Sequence, residues 1–158
     1  MKTLIGTLVV ATLVLAADVC AQVAGYTTPG GGGVNCSGRP TMNAQNRVAS
    51  CTLAGNTAFT TPGGGGVACK GGTVINFNAQ GRVTSCTLTG NTAFTTPGGG
   101  GVACTGGTVI NFNAQGRVTS CTIVGNTAFT TPSNAGISCR GGTVVAFNAQ
   151  GRVASCTR

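Results

Sequence analysis

The chain has 158 residues, of which nine are Lys or Arg, one is acidic and none is His, for a formal net charge of +8. The one acidic residue is Asp18, so no carboxylate or imidazole side chain follows it. General acid–base catalysis, nucleophilic triads and hydrolytic metal centres draw on those groups. The chain is therefore expected not to be an enzyme, with no catalytic residue, no metal site and no cofactor.

The first element reads as an export leader. Met1-Lys2 is a short basic start, and Leu4 to Ala17 is an apolar stretch, shorter than the roughly 20 residues a membrane span needs. Val19-Cys20-Ala21 supplies compact residues for cleavage before Gln22, so residues 1–21 are expected to be a signal peptide. Val19 stands where a small residue would precede a lipid-modified Cys20, which argues against a lipid anchor. The product is expected to be secreted, extracellular or at the cell surface, with no membrane span in the mature chain.

Removing Cys20 leaves an even set, Cys36, Cys51, Cys69, Cys86, Cys104, Cys121, Cys139 and Cys156. An even number in an exported chain reads as disulfides. Zinc fits poorly, since no two cysteines stand at a C-x₂₋₄-C spacing and no histidine exists. Two pairings are open. Bridges within units join Cys36–Cys51, Cys69–Cys86, Cys104–Cys121 and Cys139–Cys156, use every thiol, and are preferred. Bridges between units join Cys51–Cys69, Cys86–Cys104 and Cys121–Cys139, leaving Cys36 and Cys156 to link subunits. Each within-unit bridge closes a loop of roughly 15 residues, worth about 3 kcal/mol on chain-entropy grounds.

From Gln22 onward the chain forms a single repeat domain, residues 22–158, with four units near 25–54, 55–89, 90–124 and 125–158. The second runs GNTAFTTPGGGGVACKGGTVINFNAQGRVTSCTLT, and the third differs from it only at Thr105, Ile123 and Val124. The first has Tyr26 where the second has Phe59 and is two residues shorter before Asn43; the fourth replaces the glycine run with Ser133-Asn134-Ala135-Gly136. Atypical end units are what a stacked array needs, because its ends face water.

Within a unit the chemistry is that of β-hairpins. Thr73 to Phe77 and Arg82 to Leu88 are rich in β-branched residues. Asn78-Ala79-Gln80-Gly81 between them predicts a type I turn followed by a left-handed bulge residue. Asn46 takes that glycine's place in the first unit, Asn being the next most tolerant of positive φ. Phe77 is expected opposite Val83 and Ile75 opposite Ser85, with Val74 and Cys86 on the other face unless a bulge intervenes. Phe59 to Pro62 reads as a short strand and stop, Gly63 to Gly66 as a turn, and Val67-Ala68-Cys69 as another short strand before Gly71-Gly72. The glycine run lacks the Lys-Ser/Thr and the helix of a phosphate loop. The prediction is all-β: tandem antiparallel hairpin repeats forming a solenoid-like meander with a thin core, stapled by disulfides.

The pattern V-x-x-F-x-x-x-G-R-V, Val74 to Val83, resembles the hairpin repeats of the MORN type over some 15 residues per unit. That family's Y-x-G and second aromatic are missing here, and its units carry no cysteine pair. The resemblance implies a single-layer sheet of stacked hairpins with a binding or scaffolding role and no active site.

Arg47, Arg82, Arg117 and Arg152 occupy the same place in each unit, just after the turn. Stacking would align them into a ladder that no carboxylate side chain neutralises. They are either solubilising charges or a track for a polyanion, where many weak contacts gain from multivalency. Sequence-specific nucleic-acid recognition is not expected, because aromatics are sparse and no such motif exists. The recurring Thr57, Thr60, Thr61, Thr84, Thr87 and Thr89 are ordinary strand residues; a threonine face ordering water, as in ice-binding solenoids, is the remote alternative. Asn35-Cys36-Ser37 is a lone glycosylation sequon.

The leading functional expectation is a self-assembling extracellular fibre, surface or matrix component, since exposed strand edges pair with other chains unless blocked. The alternative is a soluble basic module for acidic polysaccharide, lipopolysaccharide, extracellular DNA or a cell surface. Either way, no side chain type after residue 21 titrates between about pH 4 and 8. Folded stability is therefore expected to be nearly flat across that window. Thermal melts at pH 4, 6 and 8 check this, and a steep change would mean that the mature chain is wrongly assigned.

Overall fold

Fifteen strands and no helix make up residues 22–158, the part of the chain that the computed structural model describes. The expected leader lies outside those residues. Unit one contributes β1 (Val23–Thr27), β2 (Gly33–Met42) and β3 (Val48–Leu53). Unit two contributes β4 (Thr57–Thr60), β5 (Gly66–Cys69), β6 (Val74–Phe77) and β7 (Val83–Thr87). Unit three repeats these as β8 (Thr92–Thr95), β9 (Gly101–Cys104), β10 (Val109–Phe112) and β11 (Val118–Thr122). Unit four follows with β12 (Thr127–Thr130), β13 (Gly136–Cys139), β14 (Val144–Phe147) and β15 (Val153–Ser155).

Nine strands form one antiparallel meander in the order β1-β2-β3-β6-β7-β10-β11-β14-β15, and the hairpins β4–β5, β8–β9 and β12–β13 form separate two-stranded sheets. The fold is thus the expected succession of stapled hairpins. The single layer implied by the likeness to MORN repeats is supplemented, because the small hairpins pack over one face of the large sheet. In unit one the missing two residues shorten the glycine corner between the equivalents of β5 and β6 to Gly38, at φ +75, with a register shift beside it. One ten-residue strand, β2, therefore serves both, pairing with β1 through Ser37 and with β3 through Met42.

The turn chemistry sets the register. Asn78 N donates to Arg82 O at 2.9 Å, Gly81 N donates to Asn78 O at 2.9 Å, and Asn78 Oδ1 accepts from the amides of Gln80 and Arg82. Gly81 has φ +73 and Asn46, its counterpart, +56, the left-handed geometry that Gly and then Asn tolerate best. Phe77 faces Val83 as expected, but a bulge follows and Ser85 pairs with Asn76 rather than Ile75. The extra residue in the bulged strand turns Cys86 to the same face as Val83. Val83, Cys86, Leu88, Ile75 and Phe77 all lie buried.

Against that face the hairpin brings Val67, Cys69 and Phe59. Phe59 meets Phe77 edge-on, with ring centroids 5.5 Å apart, and Phe94–Phe112 and Phe129–Phe147 repeat the pair, a favoured aromatic geometry. The bridges run within units, Cys36–Cys51, Cys69–Cys86, Cys104–Cys121 and Cys139–Cys156, with Cα atoms 5.7–5.9 Å apart. They suit an oxidising compartment. Among the described residues no helix is long and apolar enough to cross a membrane.

A row of Ser and Asn residues runs across the opposite face of the large sheet. Ser50, Asn76, Ser85, Asn111 and Ser120 lie opposite one another across successive strands. Asn76 Nδ2 donates to Ser85 Oγ at 2.8 Å and Asn111 Nδ2 to Ser120 Oγ at 2.9 Å. Thr105 is a local misfit. Its hydroxyl is buried without a hydrogen-bond partner among the described residues, at a position where unit two carries Lys70 and unit four Arg140. An unpaired buried hydroxyl costs free energy that an isosteric methyl does not. Thr105→Val is expected to leave Tm unchanged or raise it by roughly 2–4 °C, as read by calorimetry.

Candidate functional site

Units meet through their turns. Thr61-Pro62-Gly63-Gly64 closes as a turn in which Gly64 N donates to Thr61 O at 2.9 Å and Thr61 N to Gly65 O at 2.7 Å. This turn rests on the Gln115-Gly116 corner of the next unit, backbone against backbone. A Cβ on Gly63 would collide with the Gln115 carbonyl oxygen, and one on Gly116 would stand 2.7 Å from Gly63 Cα. The pairs Gly30 with Gly81 and Gly98 with Gly151 repeat the contact. Thr28, Thr61 and Thr96, one beside each contact, are the buried polar residues of the described chain.

Beside each contact lies an open groove. The groove between units one and two, about 390 Å³, has Gly30 and Gly32 of the preceding turn on one wall. Phe59 and Thr60 of β4, with Gln80 and Arg82, form the other. Equivalent grooves of about 430 and 410 Å³ hold Arg117 with Phe94 and Arg152 with Phe129. Arg47 lies beside Tyr26 in the same relation at the start of the array, where Arg39 joins it in a groove of about 530 Å³. A structural account of the arginine positions is therefore specific. Each follows an Asx-type turn, and the Arg amide is tied to Asn43, Asn78, Asn113 or Asn148 Oδ1 at 2.9–3.0 Å. That bond fixes the backbone and leaves the guanidinium to line the groove.

Arg82, Arg117 and Arg152 are thus brought to equivalent grooves at the three joints, and Arg47 to a groove of different lining within unit one. Successive units are offset by two strands of the large sheet, so the cations recur about every 10 Å. No carboxylate side chain exists nearby to pair with them. Each joint groove offers one cation, donor and acceptor groups of glycine backbone and threonine, and an aromatic ring, and the first groove offers two cations, Arg39 and Arg47. That combination suits an extended ligand with regularly spaced anions.

The threonines are not gathered in the same way. Thr61 is buried at a joint, Thr57 and Thr60 lie on the small hairpin, and Thr87 pairs with Val109 in the large sheet. Among the described residues the eight cysteines are all spent in the bridges. Tyr26, Phe59, Phe94 and Phe129 and the glutamines Gln80, Gln115 and Gln150 went unremarked as groove residues. Their recurrence at the unit period, in step with the arginines, was the available signal. No protein-family model, curated protein or solved structure matches the chain.

Proposed function

We infer that this chain is a secreted binding module that holds an acidic polymer along its row of grooves, and that the polymer is an acidic polysaccharide. The observation that carries the reading is the equivalent placement of Arg47, Arg82, Arg117 and Arg152, each beside an aromatic ring of its own unit. Glycine-lined walls let a ligand approach the backbone closely, and the meander holds the grooves in fixed register. Weak single contacts then add up along the polymer.

The spacing favours a polysaccharide over nucleic acid. A duplex strand presents a phosphate about every 3.4 Å, several times more densely than the cations here. A glycan such as polygalacturonate, with one carboxylate on each sugar, spaces its anions more widely, so that every second one can meet the next arginine. Hydroxyl-rich sugar rings also match the threonine, glutamine and backbone groups of the walls.

The test is binding of the oxidised chain to polygalacturonate, with neutral dextran as control, followed by calorimetry from about 50 to 300 mM NaCl. Exposed charge contacts weaken as the Debye length shrinks through this range. Binding to polygalacturonate that collapses with salt is the expected result. Equal affinity for dextran, or binding indifferent to salt, would overturn the reading.

A further inference from the structure

We propose that the joint between units is a docking surface for another copy of the unit, and that four residues close it at both ends of the array. The joint has three repeated contacts. In the first, the turn glycines Gly30, Gly63 and Gly98 press on Gly81, Gly116 and Gly151. In the second, Ile75, Ile110 and Val145 lie opposite Cys51, Cys86 and Cys121 of the preceding unit. In the third, Leu53, Leu88 and Ile123 are buried, each donating its amide to Thr73, Thr108 or Thr143 O of the following unit at 2.9–3.1 Å.

Each kind of contact is altered at one end or both where no neighbouring unit packs among the described residues. Ser133 stands in the place of Gly63, and its side chain occupies the space that a following unit's carbonyl would need. Glycine's conformational freedom is not the reason for Gly63, since the positive φ of this turn belongs to Gly64, at +86, and to Asn134, at +64, in unit four. Close approach is the reason, and Ser133 forfeits it. At the other end Asn46 replaces Gly81, so its Cβ meets any turn laid in front of unit one.

The strand edges follow suit. Counted back from the hairpin asparagine, Pro40 takes the place of Ile75. Asn43 N bonds to Arg47 O within the unit, and strand residues alternate in the side to which their backbone groups point. Position 40 therefore faces the open edge, where Pro has no N–H to offer and blocks pairing. Arg158 takes the place of the buried Leu88 and puts a charge where a following unit would need an apolar residue. These residues convert a repeat that could continue without limit into an array of fixed length. They close the route by which near-identical units were expected to grow into a fibre, and this holds whether or not the grooves bind polysaccharide.

The test compares the oxidised native chain with a chain of internal units only. In that variant, residues 25–54 are replaced by a second copy of 55–89, and residues 125–158 by a second copy of 90–124. Sedimentation velocity over a hundredfold concentration range is expected to show one species for the native chain and a growing end-to-end series for the variant. A variant that stays at single-chain mass, or a native chain that itself grows end to end, would overturn the proposal. Gly98→Ser in the native chain supplies a second reading that does not depend on the variant folding. Moving the end residue into an interior joint is expected to lower Tm by roughly 5–10 °C, and an unchanged Tm also counts against the proposal.

Discussion

Treated with a strong thiol reductant at neutral pH, the chain is expected to lose its β-sheet circular dichroism and unfold at 25 °C. The core is one layer of side chains between the large sheet and its small hairpins, and seven of its buried apolar residues are bridged cysteines. Each bridge spans 15 or 17 residues, which on chain-entropy grounds limits the unfolded state by about 3 kcal/mol. The loops are consecutive and do not overlap, so their contributions add to about 12 kcal/mol. That sum is comparable to the entire stability of an ordinary domain, about 5–15 kcal/mol. Losing one bridge, as in Cys104→Ala with Cys121→Ala, is expected to cost about 3 kcal/mol and leave a folded chain with a lowered urea midpoint. A fully reduced, alkylated chain that keeps the native spectrum and melts only a few degrees lower would show that the sheet stands without its staples.

The parts of this fold that were legible in the residues are those written in short-range chemistry. Asn78 followed three residues later by Gly81, with Asn46 as the one substitute, specifies a turn with a left-handed residue, and the structure has that turn in each unit. The β-branched runs on either side supply the strands. The bulge after Val83 was not legible, because an extra residue in a strand leaves no compositional mark. It decided that Cys86 faces the core, which strict alternation would have denied. The layering was hidden for a different reason. Phe59 and Val67 read equally well as members of the large sheet or of a hairpin over it, and only long-range packing of Phe59 on Phe77 distinguishes the two. The arginines were legible as a ladder through the repeat period alone. Their grooves were not, since one wall comes from the preceding unit. The glycine run read as a turn in sequence; in the structure its first member, Gly63, packs backbone against backbone on the Gln115-Gly116 corner of the next unit.

Replacing Arg47, Arg82, Arg117 and Arg152 together with Gln is expected to reduce affinity for polygalacturonate by roughly 100-fold or more and to flatten its salt dependence. A half-exposed charge contact is worth about 1 kcal/mol, close to fivefold in affinity, and the four act on one polymer. The turns should survive, because the hydrogen bonds at these positions run from the arginine amides to asparagine side chains rather than from the guanidinium groups. Net charge alone would also weaken binding, so the decisive comparison is a charge-matched variant. Residues 22–158 carry eight cations. Replacing Lys70, Arg140 and Arg158, set against the triple replacement of Arg82, Arg117 and Arg152, removes the same three charges and leaves the groove cations Arg39, Arg47, Arg82, Arg117 and Arg152 in place. A track of aligned grooves predicts a loss of only a few-fold in the variant that keeps the groove cations, with the salt slope largely kept, because the polymer still meets a cation at every unit. Equal losses in the two triple variants would mean that the polymer senses a diffuse positive surface, and that the register of arginines with the repeat is a property of the turn alone.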